Sequence, residues 1–329
     1  MIPKKTTIGR TPVETLDFVK VTEAAALAAS RWMGRGERNI ADGAAVEKMR
    51  EALNDMDIDG RIVIGEGERD EAPMLFIGEE LGRGGYAVDI AVDPVEGTNL
   101  VANGLPNSIA VMAIAERGGL LHAPDSYMQK LAVGPKAAAY VHIDASVKDN
   151  LEAVANALAL PINDVTVVIL ERDRHKGLIA ECREAGARIK LISDGDVDAA
   201  IATAIEGTGI HVAMGTGGAP EGVLAAAALK CLGGGFMGRL KPRSEAEAAR
   251  AQAMGFGDLN RVLTMEDLAS GQNIVFVASG ITDGDLVRGV RFTGNQAKTH
   301  SILIHSATGT VRFIESVHRL GARPLGARP

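Results

Sequence analysis

An α/β fold, with helices packed on the faces of sheets, is what the sequence predicts, and three observations predict it. In the second half of the chain an apolar run, a polar loop and a helical pattern follow one another three times. Hydrophobic residues make up 46% of the 329 residues, ample for a sizeable core, but aromatics only 3%, so Ala, Val, Ile, Leu and Met must fill it. Acidic residues fall just after the predicted strands, where an open α/β sheet gathers its ligand groups.

The elements follow from spacing. Residues 1–13 are polar and read as loose. Leu16 to Met33 repeats apolar residues at helical spacing, Gly34 and Gly36 break it, and a second helix runs from about Ala41 to Asp55 with Asp42 in its first turn. Arg61–Ile64 reads as a short strand, Ala72–Leu81 as a helix, Ala87–Val92 and Ser108–Glu116 as strands. Later come a β-branched strand at Val165–Leu170, a helix at Lys176–Ala185 stopped by Gly186, a strand at Arg188–Ile192, a helix over 197–206, a strand at Ile210–Met214 and a helix from about Pro220 to Leu229. A composition shift near 145–165 suggests an N-terminal lobe over 1–160 and a C-terminal lobe over 161–329, with 320–329 as a disordered tail.

Composition excludes several classes. A net charge of −7 argues against a general nucleic-acid binder. The two cysteines, Cys182 and Cys231, have neither CxxC nor zinc spacing and read as inert small buried residues in a reducing, cytoplasmic compartment. No apolar run suits a signal peptide or a membrane span. The seven histidines show no metal spacing.

The most informative stretch is Asp93-Pro94-Val95-Glu96-Gly97-Thr98, directly after a strand. It can be an Asp-Pro turn, or a grip for a hard cation that prefers oxygen ligands and phosphate. Similar choices attend Glu66 between two glycines, Asp194 and Asp196 around Gly195, and Glu221 at a helix start. Each alone can be a solvated acid; together, acids converging at strand ends repel one another unless a cation neutralises them. Oxygen-ligated divalent metal, not zinc, is therefore expected. Gly215–Gly218 before a helix resembles a phosphate cradle, though it matches neither a Walker A loop nor GxGxxG. Arg172 and Arg174, with His175 and Lys176 beside them, suit phosphate recognition or a solvated face, and Tyr127 suits a site or a core.

Together Asp-Pro-Val-Glu-Gly-Thr, Gly-Glu-Gly-Glu-Arg-Asp, Ser-Asp-Gly-Asp-Val and Gly-Ala-Pro-Glu-Gly resemble class II fructose-1,6-bisphosphatases of the GlpX type, over about Val21 to His318. The resemblance implies the layered α/β/α/β/α sugar-phosphatase fold of the metal-dependent, lithium-sensitive phosphatase superfamily. It places Asp42 and Glu66 on one metal, and Asp93, Glu96 and Glu221 on another. Mn²⁺ or Mg²⁺, two or more per site, is implied. Glu96, Gly97 and Thr98 would meet the phosphate to be cleaved; Tyr127, Arg172, Asp173, Arg174, Asp194, Gly195, Asp196 and Gly218 would line the sugar-phosphate site. Asp173 stands where the family often has Pro.

The implied reaction is hydrolysis of the C1 phosphate of fructose 1,6-bisphosphate in gluconeogenesis, by in-line attack of a metal-bound water. Thr98 would orient that water through a hydrogen bond to Asp42 or Glu66. The alternatives are a dual fructose/sedoheptulose bisphosphatase, and an inositol-phosphate or nucleotide phosphatase of the same superfamily. The implied partners are a small sugar bisphosphate and further copies of the chain, as dimer or tetramer.

Overall fold

The computed structural model describes residues 15–67 and 74–321. Two amphipathic helices open it, α1 (Asp17–Ser30) and α2 (Arg38–Asn54), packed on each other. Strands β1 (Ile58–Ile64), β2 (Glu80–Leu81) and β3 (Tyr86–Glu96), the short helix α3 (Thr98–Asn103) and β4 (Ile109–Glu116) follow. Next come β5 (Tyr127–Val133), α4 (Val147–Leu158), β6 (Thr166–Leu170), α5 (Lys176–Glu184) and β7 (Arg188–Ile192). Then α6 (Asp196–Ala202), β8 (Val212–Gly218), α7 (Ala219–Leu232), β9 (Gly235–Lys241) and α8 (Glu245–Ala253). The chain closes with β10 (Leu263–Thr264), α9 (Met265–Leu268), β11 (Val275–Gly280), β12 (Arg291–Thr293), β13 (Gln296–His305) and β14 (Thr310–Arg319).

Two mixed sheets result. The first runs β12-β13-β11-β4-β3-β1-β2, with β14 paired to β13; the second runs β10-β9-β5-β8-β6-β7. The first sheet is therefore built from both ends of the described chain, and the second from the segment between. A division of the chain near residue 160 falls within the second sheet, between β5 and β6.

Helices α1 and α2 cover one face of the first sheet, where Met49, Leu53, Ile90, Met112 and Val277 form one core. Helix α7 lies between the sheets, touching β3, β4 and β11 on one side and β5, β8 and β9 on the other, with α6 beside it. Its Ala-rich sequence suits that place, because every residue from Gly222 to Leu229 is buried and small side chains let both sheets approach. Helices α4 and α5 cover the outer face of the second sheet over Leu131, Val167 and Ile169. The order is helix, sheet, helix, sheet, helix, an α/β architecture as the alternation predicted.

Five local expectations need correction. Residues 74–81 are not helical: Leu75 has φ +55° and Gly78 φ +91°, and the segment bonds back to β1 and the turn after it through Gly78 N–H to Ile62 carbonyl and Ile77 N–H to Gly67 carbonyl. Residues 72–73 lie outside the described residues, as do 1–14, the Glu68-Arg69-Asp70 part of one quoted motif, and 322–329 of the expected tail. Asp42 sits one turn inside α2, which begins earlier than expected, at Arg38. Gly215–Gly218 is strand, not loop, since β8 pairs with β5 along its length, from Val212 to Gly218. The helix expected over 197–206 ends at Ala202. Cys182 is buried as expected but Cys231 only partly; burial raises their thiol pKa values to about 11 and about 12, so both stay protonated. No helix among the described residues is long and apolar enough to cross a membrane.

Candidate active site

A cavity of about 450 Å³ opens where the ends of β1 and β3 from the first sheet meet β5, β6, β8 and the starts of α6 and α7 from the second. Asp42, Glu66, Asp93, Glu96, Gly97, Thr98, Tyr127, Arg172, Arg174, Asp194, Gly195, Asp196, Gly218 and Glu221 all line it. Residues from 42 to 221 thus reach one cavity, Asp42 from α2 and most of the others from strand ends and the turns and helix starts after them. Asp173 does not line it: its exposed carboxylate pairs with Lys176 at 2.8 Å on the short turn after β6.

The informative hexapeptide is the last part of β3 and the turn after it. Pairing with β4 slips between Asp93, opposite Val111, and Glu96, opposite Ile109, so β3 gains one residue there. Pro94 lacks a donor and tolerates such a bulge, and both acids reach the cavity. The Asp93 carboxylate folds back to accept the Val95 N–H at 3.1 Å. Gly97 has φ +84°, a conformation glycine adopts without strain, and turns the chain into α3 with Thr98 first. The Thr98 hydroxyl has neither Asp42 nor Glu66 as a hydrogen-bond partner, unlike the expected arrangement.

Glycines on β8 and at its end make room for acids. A Cβ at Gly217 would lie 2.1 Å from Asp196 Oδ2, and one at Gly218 only 1.9 Å from Glu221 Oε2. The Gly-rich stretch is therefore a surface that lets two carboxylates lie flat against the backbone.

The electrostatics of the acid end are strained. Burial, followed by Asp42 and Glu221, raises the Glu66 pKa to about 8. Burial, then the neighbouring Glu66, Glu221 and Asp42, holds Asp93 well above the usual carboxylate range, and burial with Asp93 and Asp196 does the same to Glu96. Burial also raises Glu221, opposed by the Lys130 ammonium, and Asp42, opposed by Arg38. Among the described residues no three His, Cys, Asp or Glu side chains close tightly around a single point. The donor set nevertheless fits hard divalent cations. It is all oxygen, it converges on one cavity, and the buried atoms Glu96 Oε2 and Glu221 Oε2 have no hydrogen-bond partner.

The opposite end is cationic. Arg174 donates from Nε and Nη2 to the Thr216 carbonyl at 2.9 and 2.7 Å, and its guanidinium lies 4.7 Å from the Tyr127 ring centroid. Arg172 lies 3.9 Å from Asp194, which accepts the Asn99 amide at 3.0 Å. His175 is buried and locks this loop: Nδ1 bonds the Leu170 carbonyl at 2.7 Å, and Nε2 accepts the Thr216 N–H at 2.7 Å, which fixes the Nδ1–H tautomer. One end thus suits metal and the other a phosphate-sized anion.

Lys130 is the main residue that sequence reasoning missed. On β5 it shares an inward face with Met128 and Ala132, and its ammonium binds both oxygens of Asp196 at 2.9 and 2.8 Å. A lysine at an inward strand position was the available signal. Asp125, Ser126 and Asn99 were also unflagged; the first two line the cavity.

The chain is similar to known proteins over nearly its whole length. The family described as bacterial fructose-1,6-bisphosphatase, glpX-encoded, matches residues 13–318. A Synechococcus protein named D-fructose 1,6-bisphosphatase class 2/sedoheptulose 1,7-bisphosphatase is 51% identical, over 94% of this chain and 97% of that protein. Proteins of the same name from Microcystis aeruginosa and Trichormus variabilis are 50% and 48% identical, over 92% and 93% of this chain and 95% and 96% of theirs.

Proposed function

Because the chain belongs to the bacterial, glpX-encoded fructose-1,6-bisphosphatases, we propose that it hydrolyses fructose 1,6-bisphosphate at C1, giving fructose 6-phosphate and phosphate. The observation that carries this reading is one cavity with a carboxylate end and an arginine end, sized for a small bis-anion. The layering of two sheets and three helical layers supports the sugar-phosphatase fold of the metal-dependent, lithium-sensitive phosphatases.

Asp42 and Glu66 would hold one divalent cation, and Asp93, Glu96 and Glu221 a second. Mg²⁺ or Mn²⁺ there would neutralise the phosphoryl oxygens and acidify the attacking water. Glu96 offers its unpartnered Oε2, while Oε1 accepts the Val197 N–H at 3.1 Å. Thr98 at the start of α3 orients the water for in-line attack, and Gly97 admits the phosphoryl group. Asp194 takes the sugar hydroxyls; Asp196, occupied by Lys130, positions rather than binds. Arg172 and Arg174 take the uncleaved phosphate, whose binding energy aligns the reacting one. A role in gluconeogenesis, cytoplasmic location and assembly into a homodimer or homotetramer fit this reading.

The relatives' names favour a second activity on sedoheptulose 1,7-bisphosphate. Release of inorganic phosphate from both bisphosphates by the full chain, with Mn²⁺ and with Mg²⁺, tests the proposal. No release from fructose 1,6-bisphosphate with either metal overturns it.

A further inference from the structure

We propose that Arg243 is a substrate-binding residue, fixed by Glu247, whose guanidinium joins that of Arg174 beside Tyr127 to hold the uncleaved phosphate. This rests on the reading of the site as a sugar bisphosphatase. Arg243 lies in the turn between β9 and α8. The pairing of β5 with β9 sets Tyr127 opposite Lys241, so Arg243 follows two residues after the partner of Tyr127. Its guanidinium lies 4.6 Å from the Tyr127 ring centroid, matching the 4.7 Å of Arg174.

Two guanidinium groups held at one ring repel each other, so each needs an anchor. Arg174 is anchored by the Thr216 carbonyl through Nε and Nη2. Arg243 is anchored by Glu247: Nε donates to Oε1 at 2.7 Å, Nη2 lies 2.6 Å from the same oxygen, and the Arg243 backbone N–H donates to Oε2 at 2.8 Å. An exposed i,i+4 ion pair contributes little, but here the Glu247 side chain is only 10% exposed. It also receives Ser126 Oγ at 3.4 Å, and Ser244 caps its helix by accepting the Glu247 N–H at 3.2 Å. Glu247 thus spends both oxygens fixing Arg243 and its turn.

What remains unspent points to an anion. Arg174 bonds Thr216 through Nε and Nη2 alone, and the Arg243 side chain, which also hydrogen-bonds Tyr127, is 48% exposed to solvent. Tyr127, which both arginines touch, lines the cavity. Arg174 itself lines the cavity and Arg243 adjoins it through Tyr127, so a phosphate held there would meet forks from the turn after β6 and the turn after β9. Arg-phosphate pairing in that geometry adds affinity for any substrate that carries a second phosphate.

The test compares kcat and KM for fructose 1,6-bisphosphate and for fructose 1-phosphate, which lacks the distal group. Arg243→Ala is expected to raise KM for the bisphosphate on the order of tenfold or more and to change KM for fructose 1-phosphate far less. Arg243→Lys restores part of the loss, and Glu247→Gln, which frees the side chain, loses an intermediate amount. Equal losses on both substrates, or no loss on either, overturn the proposal. If the wild-type chain hydrolyses neither compound, the functional reading fails by itself. Calorimetric titration with inorganic phosphate then decides: weaker binding by Arg243→Ala than by wild type supports the clamp, and equal binding overturns it.

Discussion

The Val197 N–H donates to Glu96 Oε1 at 3.1 Å across 101 residues of sequence. That bond ties the bulged end of β3 in the first sheet to the start of α6 against the second, so the two halves of the cavity share one carboxylate. Its other oxygen is left buried and without a partner.

Glu96→Gln keeps the acceptor for Val197 and removes the charge. It is expected to cut kcat by about a hundredfold or more, as loss of a cation ligand and of transition-state charge stabilisation. The same variant removes a carboxyl whose ionisation burial, and then Asp93 and Asp196, disfavour, so the melting temperature without metal holds or rises. A fall in both together, measured by calorimetry, contradicts the assignment.

Glu66 links stability to pH. Its folded pKa of about 8, against an ordinary 4.5, means the folded chain keeps a proton that the unfolded chain releases across that window. The contribution is complete below 4.5 and is lost as pH rises towards 8. Melting of the metal-free chain should therefore fall over this range, and Glu66→Gln should flatten the slope. Mn²⁺ affinity should rise over the same range, because the cation must displace the proton. A melting temperature that climbs with pH here would refute the protonated carboxyl.

Lys130 and Asp196 form a largely enclosed pair. Lys130→Met strands the carboxylate and removes the cation that faces Glu221; a cost of about 3–5 kcal/mol in urea unfolding is expected. The double change Lys130→Met with Asp196→Asn should cost less than Lys130→Met alone, since coupled groups are not additive.

Gly218→Ala separates site from fold. The backbone at φ −66° and ψ 144° suits alanine, yet the new Cβ would fall 1.9 Å from Glu221 Oε2. The Mn²⁺ concentration needed for activity should rise on the order of tenfold or more, with little change in melting temperature. A large stability loss with unchanged metal requirement would contradict this.

Thr98→Ala should lower kcat by about a hundredfold or more while KM changes little, as for a group that acts on the attacking water. A higher KM with intact kcat would assign Thr98 to binding instead.

Much of this was legible before any coordinates. Strand, polar loop and helix recur locally, so β6 through α7 stood close to their observed places, and acids at strand ends led to the cavity. The failures are non-local. Residues 74–81 contain helix-favouring Leu and Glu, but Glu79 accepts the Leu75 N–H and pairs with Arg50 of α2, which holds a turn instead. Gly215–Gly218 has loop composition, and only its ladder with β5 makes it strand. Lys130 and Arg243 gain meaning from Asp196 and Tyr127, which no short-range pattern connects to them.

The first sheet draws strands from both ends of the described chain, and this sets a schedule for synthesis. Ile114 on β4 pairs with Val275 on β11, which emerges from the ribosome roughly ten to thirty seconds later at about 5–20 residues per second. During that wait one edge of β4 and the apolar face under α1 stand open, while the second sheet, from Tyr127 to Thr264, already has all its strands. A nascent chain stalled before β11 would therefore present a finished arginine end beside a carboxylate end whose sheet still has an open edge at β4.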